Sequence, residues 1–404
     1  MTLPPIPLGS VGVLLTVAAV IAMVTRRLGM PYSVGLVAAG LLIALLPQRP
    51  PLPLSRDLIY NILLPPLIFD AALQLDWKPF RRELPLTLTL AFVGVIVASA
   101  FVAAGMHLLL GWSWIGAALF AVLIAATDPV SVIAAFKEMR AEKRLCMIVE
   151  SESLMNDGVA AVGFAVLVAI AGGADATAGS IAPQFLWTVF GGIAIGALVT
   201  GAILVLAGRT ADHLVEITLT TLAAYGSFLT AEHFGASGIL ASLTAGLLVG
   251  NVGWMGAISD EGRPHVMSFW EYAAFLANSF VFMLIGIHEA SVPVGIVGWI
   301  AAGTAILLVL LGRLITVYPL SAAFSASGLR IPLSYQHVLF WGGLRGALAL
   351  ALALTVPDSV AEKVAIIVTA FVVVAFSIFV QGLTMPWLVR KLDVTASPDE
   401  KAAA

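Results

Sequence analysis

Long apolar runs, each separated from the next by a short polar break, fill almost the whole chain. Thirteen of them qualify as candidate spans: 8–25, 31–47, 57–76, 84–109, 113–136, 145–171, 184–208, 213–233, 236–254, 266–288, 294–324, 335–356 and 363–389. The runs are continuous rather than alternating, which predicts helices and not the roughly ten-residue dyad segments of a membrane barrel. About twenty apolar residues carry a helix across a bilayer. The pattern therefore predicts an all-α integral membrane protein with about 13 transmembrane helices. Residues 1–390 read as a single transmembrane domain and 391–404 as a short polar tail, with no soluble domain appended.

The first run has no basic residue before it and Arg26–Arg27 after it. A secretory signal has the opposite charge order, so this run reads as a retained helix. Hydrophobic residues make up 60% of the chain and charged residues 11%, whereas about a quarter of a soluble domain is charged. A mean hydropathy of +1.05 agrees. Cys146 is the single cysteine, which excludes an internal disulfide and a multi-cysteine metal site. The six histidines form no His-x-x-x-His pair, so no zinc site and no cofactor is expected. Neither a His-Glu-x-x-His motif nor a local serine–histidine pairing is present, and an enzyme is not expected. The net charge of -3 marks no nucleic-acid partner; the lipid bilayer is the expected surrounding.

Basic residues test the span count. With the N-terminus outside, the cytoplasmic loops and C-terminus hold Arg26, Arg27, Lys78, Arg81, Arg82, Lys137, Arg140, Lys143, Arg144, Arg209, Arg263, Arg330, Arg390, Lys391 and Lys401, and the exterior loops hold Arg49, Arg56 and Lys363. This positive-inside bias supports both the number of spans and an N-outside, C-cytoplasmic orientation. Two basic residues, Arg313 and Arg345, fall inside spans.

Ionisable groups in a span are costly and mark ion or proton pathways. Span 6 opens with Glu150 and Glu152-Ser153-Leu154-Met155-Asn156-Asp157. Helical spacing places Ser153 beside Asp157 and Glu152 beside Asn156. Glu150 is near the basic 137–144 loop and pairs there in the simplest reading. Span 5 is broken by Thr127-Asp128-Pro129, because proline removes a backbone donor; Asp128 is placed to cap the half-helix that follows. In span 3, Asp70 follows Leu64-Pro65-Pro66, either as a pathway carboxylate or as a cap near a bend. Span 12 carries Gly342-Gly343-Leu344-Arg345-Gly346, which predicts a second interruption. Arg345 cannot lose its proton and needs a carboxylate; Glu152 is the expected partner, leaving Asp157 and Asp128 to titrate. Arg313 receives no partner from the sequence beyond a guess that it bridges half-helix ends. Breaks in spans 5 and 12, at matching places in opposite halves, fit an inverted repeat with its site at the crossing.

Together, Thr127-Asp128-Pro129, Glu152-Ser153-x-x-Asn156-Asp157 and Gly342-Gly343-Leu344-Arg345-Gly346 resemble the Na+/H+ antiporters of the NhaP type and the animal sodium/proton exchangers. The resemblance covers nearly all thirteen spans. It implies an NhaA-like inverted-repeat fold with spans 5 and 12 as discontinuous crossing helices. It implies that Asp157 carries the ion and the proton, that Thr127 and Ser153 contribute oxygens to Na+, and that Asp128 shapes the site. Asp70 would ligate through water, and Glu152 and Arg345 would form a buried ion pair. A homodimer whose core bundle moves against a dimerisation bundle is implied as well.

Elementary electrostatics supports exchange chemistry. Desolvation favours the neutral form of a carboxylic acid and a bound cation favours the ionised form, so proton and cation compete for one site. Hard oxygen ligands suit Na+, Li+ or K+. Asn156 is neutral where the related electrogenic branch has a second aspartate, which predicts electroneutral 1:1 exchange by alternating access. K+/H+ exchange on the same scaffold is the nearest alternative. A passive cation channel would need a selectivity ring or repeated filter loops, which the sequence lacks. The bacterial inner membrane is the expected location.

Overall fold

The computed structural model describes residues 8–28, 30–45, 57–128, 132, 133, 136, 139, 141–173, 178–208, 210–289 and 298–394. Among them the chain is all-helical, with no strand. Among the described residues, nine helices are long and apolar enough to cross a membrane: Val11–Leu28, Trp77–Leu110, Lys143–Ala171, Ala182–Ala207, His213–His233, Gly238–Met255, Gly262–His288, Trp299–Ala323 and Lys363–Lys391. The remaining apolar runs form shorter or interrupted helices: Tyr32–Ala44, Asp57–Leu63 continuing into Leu64–Leu73, Trp114–Leu123, and Leu333–Trp341 followed by Ala347–Ala353. Most of the expected polar tail falls after Val394, outside the described residues.

Lipid offers helices no hydrophobic reason to associate, so close packing of small residues takes over. Tyr32–Ala44 lies along Gly262–Glu289 with Gly40 against Gly286 and the Met283 carbonyl, where any side chain would collide. Leu64–Leu73 lies along Gly238–Asn251 in the same way, with Gly246 against the Phe69 carbonyl and Gly250 against the Leu73 carbonyl. Elsewhere, Gly94–Leu110 is flanked by Trp114–Leu123 and Trp299–Ala323, and Lys143–Ala171 packs on Trp114–Leu123 and Trp77–Leu88.

The ends of the bundle are tied by polar contacts. At one end Arg144 grips Glu83 with two guanidinium nitrogens at 2.9 and 3.1 Å and reaches the Arg330 carbonyl at 3.2 Å. Asn251 joins this end, accepting from the Trp77 N–H at 2.8 Å and donating to the Leu75 carbonyl at 2.9 Å. At the other end the Glu362 carboxylate accepts the Ser113 N–H at 2.8 Å and hydroxyl at 2.9 Å, and Tyr60 donates to Glu232 at 3.1 Å.

Candidate functional site

Helix Trp114–Leu123 stops short, and residues 126–128 run without helical structure. Pro129, the expected cause, lies outside the described residues. In Leu333–Ala353 the helix likewise stops at Trp341, and Gly342–Gly346 links the two pieces. Unwound backbone at membrane depth has polar groups that only protein or enclosed water can satisfy. The two breaks satisfy each other: the Asp128 N–H donates to the Leu344 carbonyl at 2.7 Å. Gly346 has to be glycine here, since an added Cβ would run into the Asp128 carboxylate. The final helix contributes through a π-helical stretch, Ser377–Gly382. Ser377 accepts the Arg345 N–H at 3.0 Å, and Gln381 donates to the Trp341 carbonyl at 3.0 Å.

Helix Lys143–Ala171 brings the acids to this junction. Asn156 is buried, and its amide forms a bracket: its oxygen accepts the Thr127 N–H at 3.1 Å, while its nitrogen donates to Thr127 Oγ1 at 2.6 Å and to Glu152 Oε1 at 3.1 Å. A backbone N–H can only donate, so the amide oxygen must face Thr127 and the nitrogen Glu152. Ser153 and Thr127 share a hydroxyl–hydroxyl bond of 3.0 Å.

The expected Glu152–Arg345 pair does not form. Glu152 pairs with Arg313, whose Nη1 and Nη2 meet the two carboxylate oxygens at 2.7 and 2.9 Å. Nε and Nη2 of Arg313 also donate to the Leu339 carbonyl at 3.2 and 3.0 Å, in the last turn of the half-helix before the break. Arg345 instead directs Nη1 at the Ala125 and Ala126 carbonyls, at 2.8 and 3.2 Å. The physical reason is local. Ending the helix at Leu123 strips nearby carbonyls of helical donors, and the guanidinium on the facing break supplies N–H groups to them.

Asp157 differs from Glu152 and Asn156, whose polar groups are taken up by protein partners. Its Oδ1 is buried without a hydrogen-bond partner among the described residues, and Asp128, Glu152 and Arg345 are the charges that act on it. It faces a cavity of about 270 Å³, shared with Thr127, Asp128, Asp70 and Glu150. Asp70 accepts from Gln74 Nε2 at 2.9 Å. Ser153 is not part of the cavity wall; it stands behind Thr127. Glu271, Asn278 and Gln74 also line the cavity, and the motifs do not single them out. A signal for two of them exists in the sequence: Glu271 and Asn278 are seven residues apart, two helical turns on one face of an otherwise apolar span. Gln74 and Glu271 are exposed, so the cavity leads from Asp157 toward the end of the bundle that carries Arg144 and Asn251.

The family model described as "Sodium/hydrogen exchanger, transmembrane" matches residues 13–391. The chain belongs to the sodium/hydrogen exchanger family. Relatives include the low-affinity Na+/H+ antiporter NhaS1 of Synechocystis sp., 37% identical over 92% of this chain and 71% of that protein. The Na+/H+ antiporter NhaP of Pseudomonas aeruginosa is 33% identical over 96% of this chain and 98% of its own length. The sodium proton antiporter MjNhaP1 of Methanocaldococcus jannaschii shares the fold, with a TM-score of 0.73 at 19% identity over 95% of this chain and 98% of that one. The chain is thus a multi-pass membrane protein of an antiporter family, and the three motifs above stand within the matched region.

Proposed function

We propose that this chain exchanges Na+ (or Li+) for H+ across a bacterial inner membrane, with one cation and one proton competing for Asp157. The observation that carries this reading is the buried Oδ1 of Asp157, which has no hydrogen-bond partner among the described residues, on a residue that lines a cavity between two interrupted segments. A buried carboxylate oxygen without a donor costs free energy unless it is protonated or holds a cation. Either occupant relieves it, and only one fits at a time. Thr127 and Asp128 supply further oxygens on the same wall, with Asp70 within the cavity as a water-mediated ligand. Ser153 acts by orienting Thr127.

Exchange is electroneutral because the other acid of the motif, Glu152, is matched by Arg313, and Asn156 is neutral and occupied as a bracket. The basic-residue pattern makes the end reached by the cavity cytoplasmic. Alternating access then closes this cavity and opens one toward the other face, as a core bundle moves against a dimerisation bundle within a homodimer. The thirteen-span count and the inverted repeat belong to the same proposal.

Proton flux in vesicles, followed by a pH-sensitive dye during pulses of Na+, Li+ and K+, tests the reading. We expect Na+ and Li+ to dissipate an imposed pH gradient, and Asp157→Asn to abolish the response while the protein still inserts. Na+-dependent proton flux retained in Asp157→Asn defeats the assignment, and a response to K+ alone transfers the proposal to K+/H+ exchange.

A further inference from the structure

A second, larger cavity of about 860 Å³ opens beside the transport site and is not used by it. One wall is the Trp77–Leu88 helix with Met155, two residues before Asp157; the other is the Gly238–Asn251 helix; Ile193 lies toward the inner end. Below the mouth, Thr244 is the one polar residue in the lining among the described residues, and its hydroxyl already donates to the Leu240 carbonyl at 2.7 Å. An occupant deep in this crevice therefore finds no hydrogen-bonding group and must be hydrocarbon. From Leu240 to Asn251 the helix rises about 16 Å at roughly 1.5 Å per residue, close to one leaflet of a hydrocarbon core of about 30 Å.

The mouth is different. Trp77 marks it as an interfacial position, and Asp76 and Lys78 stand on either side of it in sequence, all three lining the cavity. Neither the Asp76 carboxylate nor the Lys78 ammonium has an ion-pair or hydrogen-bond partner among the described residues. One anion and one cation at the water end of a leaflet-deep apolar groove complement a headgroup that carries a phosphate and an amine. We propose that the crevice is a phospholipid site: one acyl chain fills the groove, Lys78 holds the phosphate, and Asp76 accepts from the amine of an ethanolamine headgroup. The site requires only that the chain sits in a bilayer; it does not depend on which ions are exchanged.

Full-length protein in vesicles, labelled with a phosphatidylethanolamine that carries a photoactivatable diazirine in its acyl chain and mapped by peptide mass spectrometry, tests this. Expected are adducts concentrated on Leu84, Leu88 and Leu247, lost when the groove is filled by Thr244→Trp or, if that variant does not fold, by Ile193→Phe. Unlabelled phosphatidylethanolamine should compete better than phosphatidylglycerol, and Lys78→Gln should weaken its competition about tenfold, the worth of one charge-assisted hydrogen bond. Adducts spread evenly over lipid-facing residues such as Ile96 and Leu198, unchanged by the filling variants, overturn the site. Crevice peptides that stay unlabelled, as they would if a second copy of the chain covered this face, overturn it too. Equal competition by the two lipids overturns the headgroup assignment.

Discussion

A carboxylate inside a membrane is costly until something answers its charge, and the acids around the two breaks are answered differently. Glu152 has a bidentate arginine, one oxygen of Asp70 has Gln74, and Asp157 keeps a buried oxygen without a hydrogen-bond partner among the described residues. Helical spacing by itself makes the placement of Glu152, Ser153, Asn156 and Asp157 legible. The choice of arginine is not legible in the same way. Arg313 and Arg345 both stand inside apolar spans, and only the approach of the Trp299–Ala323 helix decides between them. A double-mutant cycle separates the pairings. Arg313→Ala and Glu152→Ala should each lower stability by about 3–5 kcal/mol, with strong coupling between them, since each leaves a buried charge alone. Thermal unfolding in nanodiscs reads this out; coupling of Glu152 to Arg345 but not to Arg313 would refute the observed pair. Asn156→Ala should release Thr127 and lower exchange without changing its stoichiometry, which paired proton and Na+ flux measurements would register.

At the scale of elements, proline and glycine make both interruptions readable, yet they say nothing of the partners that make the interruptions tolerable. The Asp128–Leu344 backbone bond and the braces from Ser377 and Gln381 join segments far apart in sequence. Glu271 and Asn278 share a helix face by their spacing, but that this face lines the cavity is set by the helices packed there, not by their own span. Helix contacts through glycine give a direct test. Gly250→Leu must displace the Leu73 backbone, and a loss of about 1–3 kcal/mol or more is expected from overpacking, visible as a lowered melting temperature in nanodiscs. The cap at Glu362 gives a pH test outside the membrane. Partial burial pushes the Glu362 carboxyl up, but the Ser113 N–H and hydroxyl together hold it below the usual glutamate value of 4.5. A depressed carboxyl stabilises the fold above its unfolded pKa and loses that contribution as pH falls through the folded value. Glu362→Gln should therefore lower the melting temperature near neutral pH, by an amount matching a helix cap of about 1 kcal/mol. The difference from the parent protein should vanish only once the pH has fallen through the folded Glu362 value, which lies below 4.5. A difference that persists unchanged in acid would argue against the cap.

For the whole molecule, the arrangement joins a cavity, two mutually satisfied breaks, a buried charge pair and the Asp157 carboxylate into one device. If Glu152 is permanently matched by Arg313, each cycle carries one cation against one proton and moves no net charge. Turnover in proteoliposomes should then be insensitive to an imposed membrane potential, and a voltage-dependent transport current would contradict electroneutrality. The most direct measurement of the central claim is the apparent KM for Na+ as a function of pH in proteoliposomes. Competition of one proton and one cation for Asp157 predicts a KM that rises about tenfold for each unit of acidification below the site's pKa, with the maximal rate unchanged. A KM for Na+ that stays constant across that range would show that proton and cation do not share Asp157.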